Sequence, residues 1–271
     1  LHDALPISAC ALEASSIGIE EGRMNGARVD VAVFTNFTRD HLDYHGTMAA
    51  YAAAKAKLFQ WPRLRTAVIN LDDAMGIQLM RETSAMRVLG YAIGEQRRDF
   101  HALVRAEDLV DTPFGQRFSL ILPNGRTTVD TALVGRYNVS NLLAIAAVLH
   151  DAGMAAAEVG LRLSELTPPP GRMERLGGND APLVVVDYAH TPDALENALK
   201  ALRPVAAGRG GGGCCRTSAS ARSRARPCFP SRARPRASRL RPCFWTALCA
   251  RSCISQRAHR AVCFRSTRHS H

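Results

Sequence analysis

Residues 29–59 read VDVAVFTNFTRDHLDYHGTMAAYAAAKAKLF, and the order of the elements they predict indicates the fold class. Its first six residues, Val29 to Phe34, are rich in β-branched side chains, which predicts a short strand. Residues 37–46 are dense in titratable groups and predict a loop. From about Met48 to Phe59 the larger side chains recur at roughly helical spacing along an alanine-rich segment, which predicts a helix. A strand, a polar loop and a helix in this order form one unit of an α/β domain.

The same alternation extends on both sides of this stretch. Upstream, the apolar residues from Ile7 to Leu12 predict a buried strand that ends at the carboxylate of Glu13. Downstream, residues 100–134 predict a small antiparallel patch around the turn Pro-Asn-Gly at 123–125. Strands that alternate with helices predict an α/β fold with a mostly parallel sheet. The other predicted elements are strands at 66–70 and 88–91, a helix from Asp72-Asp73 to about Thr83, and a buried helix over 138–152.

A second domain is predicted beyond the proline-rich segment TPPPG at 167–171, which reads as a stiff extended linker. The run Leu183 to Val186 predicts a buried strand. Thr191 and Pro192 are typical of the N-cap and first position of a helix, which we expect to reach about Leu202. This pair of elements predicts the first βα unit of a second, Rossmann-like α/β domain.

The net positive charge of the chain comes from its last 64 residues. Residues 208–271 contain 15 Arg, no Lys and no acidic residue, so the rest of the chain holds 20 basic against 24 acidic side chains. The tail also holds seven of the eight cysteines, with no paired C-x-x-C spacing. Three interpretations of the tail are open: a basic arm that binds nucleic acid, a metal-binding Cys/His tract, and a non-native translation such as a frameshift, which the abrupt change in composition favours.

The rest of the composition indicates a reduced, cytoplasmic protein. Residues 1–207 contain the single cysteine Cys10, whereas a secreted framework would carry more. No apolar run approaches the 18 residues or more of a membrane span, so we expect no membrane association. The start LHDALPIS lacks the basic and apolar regions of a secretory signal and has no initiator Met. We expect the chain to begin inside a longer gene product.

Candidate ligand residues lie where predicted strands end, because parallel α/β sheets bind ligands at the carboxyl ends of their strands. Glu13 follows the first strand, and His41 lies in the polar loop after the second. Both residue types suit Mg²⁺ or a similar ion. Taken alone, a residue such as Glu13 is more often a solvated strand end, and one such as His41 is more often an ordinary loop histidine.

In combination these residues resemble the signature of the Mur ligases, and most closely of the members that add a third amino acid to UDP-N-acetylmuramoyl-L-alanyl-D-glutamate. The resemblance runs in one order from about residue 9 to residue 204 and stops at the tail. The stretches that carry it are EASSIGIEEGR at 13–23, TNFTRDHLDYHG at 35–46 with Ala54-Lys55 and Leu58-Phe59, GRYNVSN at 135–141, GRME at 171–174, and DYAHTP at 187–192.

The resemblance implies an ATP-driven amide synthesis in which Mg²⁺ and positive groups stabilise the transferred phosphoryl. By the family pattern, Glu13, His41 and Lys55 are metal ligands, and Lys55 is carbamylated by CO₂ to an anion able to organise a metal. A lysine reacts in this way only as the neutral amine, so burial must lower its pKa. Lys57, two residues on, points away and serves as a control.

The family pattern also implies residues for the two large substrates. Ser15, Glu21 and Arg23 correspond to positions that touch the UDP-muramoyl dipeptide, although Glu21 stands where a Gln is familiar. Arg172 suits phosphate and a catalytic role, whereas Asn138 is equally compatible with a helix N-cap. The implied nucleotide-binding residues are Asn138, Asn141, Arg172, Asp187 and His190.

One motif of the family is missing from the printed chain. Its three lysines, Lys55, Lys57 and Lys200, do not follow a glycine, so no G-x-x-x-x-G-K-[ST] phosphate loop is present. We therefore expect no ligase activity from this chain by itself. The resemblance divides the chain into four segments. Residues 1–8 do not match the family, 9–166 correspond to part of a central ATP-binding domain, 167–207 correspond to the start of a C-terminal domain, and 208–271 are the tail.

The resemblance implies a cytoplasmic enzyme, monomeric in its full-length parent, whose partners are the UDP-muramoyl dipeptide, ATP and an amino acid, with no nucleic acid. Diaminopimelate is the amino acid expected from overall likeness, and L-lysine is the alternative. A folylpolyglutamate synthase-like ligase is a second alternative, which the motif DHLDYH at 40–45 disfavours. A nucleic-acid-binding protein acting through residues 208–271 is a rival of another class.

We predict that limited trypsin digestion removes the tail quickly and leaves a core that ends near Arg203 or Arg209. The reason is that residues 208–271 lack apolar periodicity and carry charge of one sign, which favours disorder. Mass spectrometry of the digest over time checks this, and protection of the arginines in the tail would contradict it.

Overall fold

The computed structural model describes residues 9–94, 104–112, 115–177, 183–189, 192–207, 213–217 and 260–264. The chain divides into two compact units. The second unit takes in the chain from Leu166 onwards and two short segments, 111–115 and 132–135. Within the described residues, no helix combines the length and the apolar character needed to cross a membrane.

The first unit is built on one six-stranded sheet, whose strands lie side by side in chain order. They are β1 (Val31–Phe34), β2 (Thr66–Asn70), β3 (Arg87–Ile93), β4 (Val104–Thr112), β5 (Gly115–Leu122) and β6 (Gly125–Thr131). Strands β1 to β4 run parallel, whereas β5 and β6 form an antiparallel hairpin. The predicted α/β class with a mostly parallel sheet is confirmed, and the predicted antiparallel patch belongs to this same sheet.

Six α-helices accompany this sheet in the described residues. They are α1 (Ser16–Glu20), α2 (Leu42–His45), α3 (Met48–Ala56), α4 (Ala74–Glu82), α5 (Arg136–Asp151) and α6 (Ala156–Ser164), and a 3₁₀ turn (Lys57–Gln60) continues α3. The short helices α1 and α2 and the helix α6 are absent from the sequence-based expectations. A helix of four or five residues is too short to show an apolar period, so its neighbours in the fold decide whether it forms.

Strand β2 lies at the centre of the core, and all five of its residues are buried. Successive side chains of a strand point to opposite faces of the sheet. Ala67 and Ile69 belong to an apolar cluster with residues of the 3₁₀ turn and α4, such as Phe59 and Leu79. Thr66, on the alternate face, donates a hydrogen bond to α5. Burial on both faces explains why the middle of this strand, Ala67 to Ile69, is apolar without alternation.

The predicted strand before Glu13 is not observed in the described residues, and its first two positions, Ile7 and Ser8, lie outside them. Residues 9–15 form no helix or strand, and Leu12 is 64% exposed. An apolar run becomes a strand only where a neighbouring strand accepts its backbone hydrogen bonds. In the described part of the sheet β1 is an edge strand, with β2 as its partner.

The second unit contains a four-stranded antiparallel sheet in the order β7-β8-β10-β9, and the helix α7. Its elements are β7 (Glu174–Leu176), β8 (Leu183–Asp187), α7 (Pro192–Ala207), β9 (Gly213–Thr217) and β10 (Arg260–Phe264). The predicted strand and helix at β8 and α7 are present, but the neighbours of β8 are antiparallel rather than Rossmann-like. Strands β9 and β10 lie in the tail, so our expectation of disorder does not hold for these ten residues.

A buried carboxylate joins the last residue of α5 to the first residues of two strands. The Asp151 side chain is 1% exposed and lies 2.8 Å from Arg65 Nη1 and 3.2 Å from Arg87 Nη1. Thr66 Oγ1 donates a hydrogen bond of 3.1 Å to the same carboxylate. These contacts hold α5 at the amino end of the parallel strands, which is the end opposite to the predicted site.

We predict that Asp151→Ala lowers the free energy of unfolding by about 2 kcal/mol. Breaking a fully buried ion pair costs about 3–5 kcal/mol, and we expect less here because solvent reaches both guanidinium groups. Urea unfolding followed by circular dichroism measures the change.

Asp130→Ala is the matched control, because Asp130 pairs with Arg117 at 2.8 Å on the open surface. It should leave the midpoint of the urea transition nearly unchanged. Equal midpoints for the two variants would contradict the stabilising role of Asp151.

Candidate functional site

The ring of Tyr51, on α3, lies at the centre of a cluster of titratable side chains. Tyr51 is buried, and its ring centre is 5.0 Å from that of Phe37 and 5.3 Å from that of His45, which is stacked on it. His41 approaches edge-on at 5.9 Å, and Lys55 Nζ lies 5.2 Å from the ring centre. Tyr51 thus brings together one side chain of its own helix and three from the segment between β1 and α3.

Lys55 is half-buried at this cluster, and its surroundings act on its charge in opposite directions. Burial lowers the pKa of Lys55 because desolvation disfavours the ammonium ion. The carboxylates of Glu13, Asp40 and Asp73 oppose this effect, and burial prevails. The structure therefore brings Glu13 within electrostatic reach of Lys55 and leaves the lysine more readily deprotonated than an exposed one.

His41 has an unusual backbone conformation at the start of α2. Its φ of 53° lies in the left-handed region, which costs a residue with a side chain about 1–2 kcal/mol. The Asp40 carboxylate accepts the backbone N–H of His41 at 2.8 Å and lies 3.8 Å from its Nε2. In this conformation the imidazole lies edge-on to the Tyr51 ring, which Lys55 also contacts.

The described residues contain no group of three or more His, Cys, Asp or Glu side chains placed to hold a metal ion. Glu13 and His41 are two of the three ligands that we expect from the sequence, and the third is a lysine. Unmodified, Lys55 is a cation when protonated and offers no oxygen. A Mg²⁺ site here therefore depends on a change in the chemistry of Lys55.

The loop that carries His41 is anchored where three parallel strands end. Asn70, at the end of β2, donates its side-chain N–H to the carbonyl oxygen of Thr35 at 2.6 Å. Tyr91, in β3, donates its hydroxyl to the carbonyl oxygen of Phe34 at 3.1 Å. The ring of Tyr91 is completely buried, and burial raises the pKa of its hydroxyl, which keeps it a hydrogen-bond donor. The exit of β1 is thus fixed by its neighbours across the sheet.

Asp73 provides a further anchor and joins this loop to α4. One carboxylate oxygen accepts the backbone N–H of Phe37 at 2.7 Å, and the other accepts that of Met75 as the N-cap of α4. Asp73 is also one of the carboxylates that act on Lys55. Asn70, Asp73 and Tyr91 are site residues that were not expected from the sequence. Polar side chains at or just after the end of a buried strand are a usable signal for Asn70 and Asp73, whereas Tyr91 lies inside β3 and gives no such signal.

The residues expected to bind the UDP-muramoyl dipeptide lie at or near the two ends of α1. Ser15 is its N-cap, and Ser15 Oγ accepts the backbone N–H of Gly18 at 3.0 Å. Glu21 and Arg23 form an ion pair of 2.5 Å on the exposed side after the helix. The structure brings these residues to one short helix that directly follows Glu13.

The two asparagines expected to bind nucleotide lie in the first turns of α5. This helix begins at Arg136, two residues earlier than expected, so Asn138 lies within the helix and is not its N-cap. Asn138 is half-buried and Asn141 is exposed. A spacing of three residues places both on one face of α5. The capping alternative for Asn138 is therefore wrong.

In the second unit, Asp187 organises the end of β8. One carboxylate oxygen accepts the backbone N–H of Met173 at 2.9 Å, and the other accepts that of Ala189 at 2.8 Å. Met173 has a left-handed φ of 51° and is buried. Asp187 thereby holds the segment after the linker against the end of the strand.

Arg172 precedes this buried methionine and is exposed. Its guanidinium carbon lies 4.9 Å from the centre of the Tyr188 ring, a cation–π contact that keeps the side chain over the end of β8. Arg172, Asp187 and Tyr188 therefore lie together in the second unit. His190, the remaining expected residue, lies outside the described residues.

Comparison with known proteins places the chain in one family. The model of the Mur ligase middle domain matches residues 2–149, and that of the Mur ligase glutamate ligase domain matches residues 171–211. The chain is 51% identical over 211 residues to the UDP-N-acetylmuramoyl-L-alanyl-D-glutamate–2,6-diaminopimelate ligase of Janthinobacterium sp. (strain Marseille), covering 76% of this chain and 42% of that protein. It is 49% identical over 201 residues to the enzyme of the same name from Pseudomonas aeruginosa, covering 74% and 40%.

A solved structure agrees with these relatives. The structure of a UDP-N-acetylmuramoyl-L-alanyl-D-glutamate–2,6-diaminopimelate ligase matches with a TM-score of 0.60 and 41% identity, over 70% of this chain and 39% of that chain. The present chain spans about two-fifths of the length of the curated relatives it matches. With a middle-domain match over more than half of its residues, the chain belongs to the Mur ligase family.

Proposed function

We propose that this chain is part of an ATP-dependent ligase that adds the third amino acid, diaminopimelate, to UDP-N-acetylmuramoyl-L-alanyl-D-glutamate in peptidoglycan synthesis. The observation that carries the proposal is the half-buried Lys55 among the carboxylates of Glu13, Asp40 and Asp73. The relatives that share about half of their matched residues with this chain bear the name of that reaction.

The reaction forms an amide from a carboxylate that is a poor acyl donor. The D-glutamyl carboxylate attacks the γ-phosphorus of ATP, ADP leaves, and an acyl phosphate results. The amine of diaminopimelate then attacks the acyl carbon, loses a proton and displaces inorganic phosphate. Both steps concentrate negative charge around phosphoryl oxygens, so the site must supply positive charge and fixed hydrogen-bond donors.

The residues present fit Mg²⁺ if Lys55 is carbamylated. The neutral amine of Lys55 attacks CO₂, a C–N bond forms and one proton is released, which leaves an anionic carbamate with two oxygens. Together with the carboxylate of Glu13 and the imidazole of His41, this gives the oxygen-rich ligand set that Mg²⁺ prefers. When bound, Mg²⁺ neutralises charge on the transferred phosphoryl.

The local geometry favours the amine form that this chemistry needs. Burial beside Tyr51 lowers the pKa of Lys55, whereas Lys57 is exposed and forms an ion pair of 2.6 Å with Glu20. Lys55 rather than Lys57 is therefore the lysine suited to carbamylation.

The substrate contacts are proposed residue by residue. Asp187 holds one backbone N–H on each oxygen, which leaves further lone pairs to accept from ribose hydroxyls. Arg172 offers an exposed guanidinium to phosphate and is proposed as catalytic. The remaining proposals are Ser15, Glu21 and Arg23 for the UDP-muramoyl dipeptide, and Asn138, Asn141 and His190 for the nucleotide.

The cellular setting follows from the same proposal. UDP-linked precursors, ATP and diaminopimelate are small soluble molecules, so we propose that the full-length parent acts in the cytoplasm as a monomer. We propose no nucleic-acid partner for it.

A chimaera tests the proposed function. Residues 9–204 replace the corresponding stretch of the Janthinobacterium relative, which supplies the rest of that enzyme. We predict that the chimaera forms the diaminopimelate-containing product. Lys55→Ala in the chimaera should lower kcat at least about a hundredfold, which corresponds to nearly 3 kcal/mol of transition-state stabilisation. Phosphate release and product chromatography measure the effect.

The matched control is Lys57→Ala, which removes an exposed ion pair and should leave kcat within about twofold. Partial rescue of Lys55→Ala by acetate would support a carboxylate-like role for the modified lysine. Equal activity of Lys55→Ala and the parent chimaera would contradict the assignment of Lys55.

A further inference from the structure

A buried serine and a half-buried histidine form a polar link that the proposed reaction does not use. Ser16 Oγ and His45 Nε2 lie 2.9 Å apart and share a hydrogen bond. Ser16 is only 3% exposed, so the pair does not present a nucleophile to a substrate. A buried hydroxyl without its partner would lose hydrogen bonding that water cannot restore. The hydrogen bond therefore affects how α1, which carries Ser16, is placed against α2, which carries His45.

The two ends of this link belong to different parts of the site. Ser16 is the first residue of α1, three residues after Glu13 and directly after Ser15. His45 is the last residue of α2, and its ring is stacked on Tyr51 at 5.3 Å with an interplanar angle of 27°. Tyr51 in turn contacts Lys55. A continuous series of contacts thus connects the segment of Glu13 with the helix of Lys55.

The segment before α1 needs such a link because it has no regular structure of its own. Residues 9–15 form neither helix nor strand, and Glu13 is exposed. Glu13 nevertheless acts electrostatically on Lys55, which is on another element. The position of Glu13 is therefore set by the way in which α1 packs beside α3.

Beyond the Ser16–His45 link, a second polar contact joins α1 to the Lys55 region. Glu20, the last residue of α1, forms an ion pair in which its carboxylate lies 2.6 Å from Lys57 Nζ. The side chains of Glu20 and Lys57 are 30% and 52% exposed. An exposed ion pair contributes little to stability because water competes for both charges. The buried contact between Ser16 and His45 is the stronger candidate for holding α1 in place.

We propose that His45 is a positioning residue: through its bond to Ser16 and its stacking on Tyr51, it holds α1, and with it Glu13, against the helix of Lys55. The consequence for metal binding rests on the proposed function, whereas the holding of α1 does not. His45 itself is not a ligand and touches no substrate in this account.

The test uses the 271-residue chain and three substitutions. His45→Phe keeps an aromatic ring on Tyr51 but removes the nitrogen that bonds Ser16, and Ser16→Ala removes the other partner. His45→Gln retains an amide that can reach Ser16 and serves as the conservative rescue. Lys57→Ala is the matched control, because it removes the exposed contact at the other end of α1.

Two measurements are made on each variant. Hydrogen exchange of the backbone amides of Ile19, Glu21 and Arg23, which are hydrogen-bonded within or directly after α1, reports how firmly α1 is held. Mn²⁺ affinity in bicarbonate buffer, followed by electron paramagnetic resonance, reports the effect on the metal site. Thermal melting of each variant shows whether the whole unit remains folded.

We expect His45→Phe and Ser16→Ala each to speed the exchange of these amides by about tenfold. Each should also weaken Mn²⁺ binding by about tenfold. A tenfold change is the effect expected from the loss of one hydrogen bond. His45→Gln should restore most of the protection from exchange and most of the Mn²⁺ affinity. Lys57→Ala should change the exchange rate and the Mn²⁺ affinity by less than about twofold. In a Glu13→Gln background, His45→Phe should weaken Mn²⁺ binding no further.

Each outcome decides one of the two claims. Unchanged exchange in His45→Phe and Ser16→Ala overturns the positioning role, whatever happens to the metal. Faster exchange with unchanged Mn²⁺ affinity limits His45 to stabilising α1 and overturns its role towards Glu13. If the parent chain binds no Mn²⁺, the metal site of the proposed function fails, while the exchange data still decide whether His45 holds α1.

Discussion

Burial of the Lys55 side chain beside the Tyr51 ring is the constraint on which the rest of the site depends. An ammonium ion loses hydration there, and this lowers the pKa of Lys55 although Glu13, Asp40 and Asp73 favour its charge. A lysine that only paired with carboxylates would remain protonated and inert. Because burial prevails, Lys55 can present a reactive amine among these carboxylates.

The fold creates this environment by bringing together segments that are distant in sequence. The parallel strands end on the same side of the sheet. There Asn70 and Tyr91 donate hydrogen bonds to the backbone carbonyl groups of Thr35 and Phe34, at the end of β1. Asp73 accepts the backbone N–H of Phe37, in the next part of the loop, and that of Met75 as the N-cap of α4. The loop after β1 therefore has little freedom, which suits a site that must place charges accurately.

The sequence predicts those features that are local. Strand β2 is predicted with its observed bounds, because the β-branched residues Thr66, Val68 and Ile69 lie in a short run that ends before Asp72-Asp73. The apolar residues before Glu13 are predicted as a strand and form none among residues 9–15, since an apolar run does not reveal whether a partner strand lies beside it. Lys55 is singled out by its motif, but its burial depends on Tyr51 and on carboxylates from other elements. The strands of the tail have no counterpart in the sequence pattern.

The reaction of Lys55 with CO₂ can be observed by carbon-13 magnetic resonance of the chain in ¹³C-bicarbonate. We expect a carbamate resonance in the parent and in Lys57→Ala, and none in Lys55→Ala. The resonance should grow as the pH rises, because more of the amine is then deprotonated. Spectra that are identical for the parent and Lys55→Ala would contradict the carbamylation of Lys55.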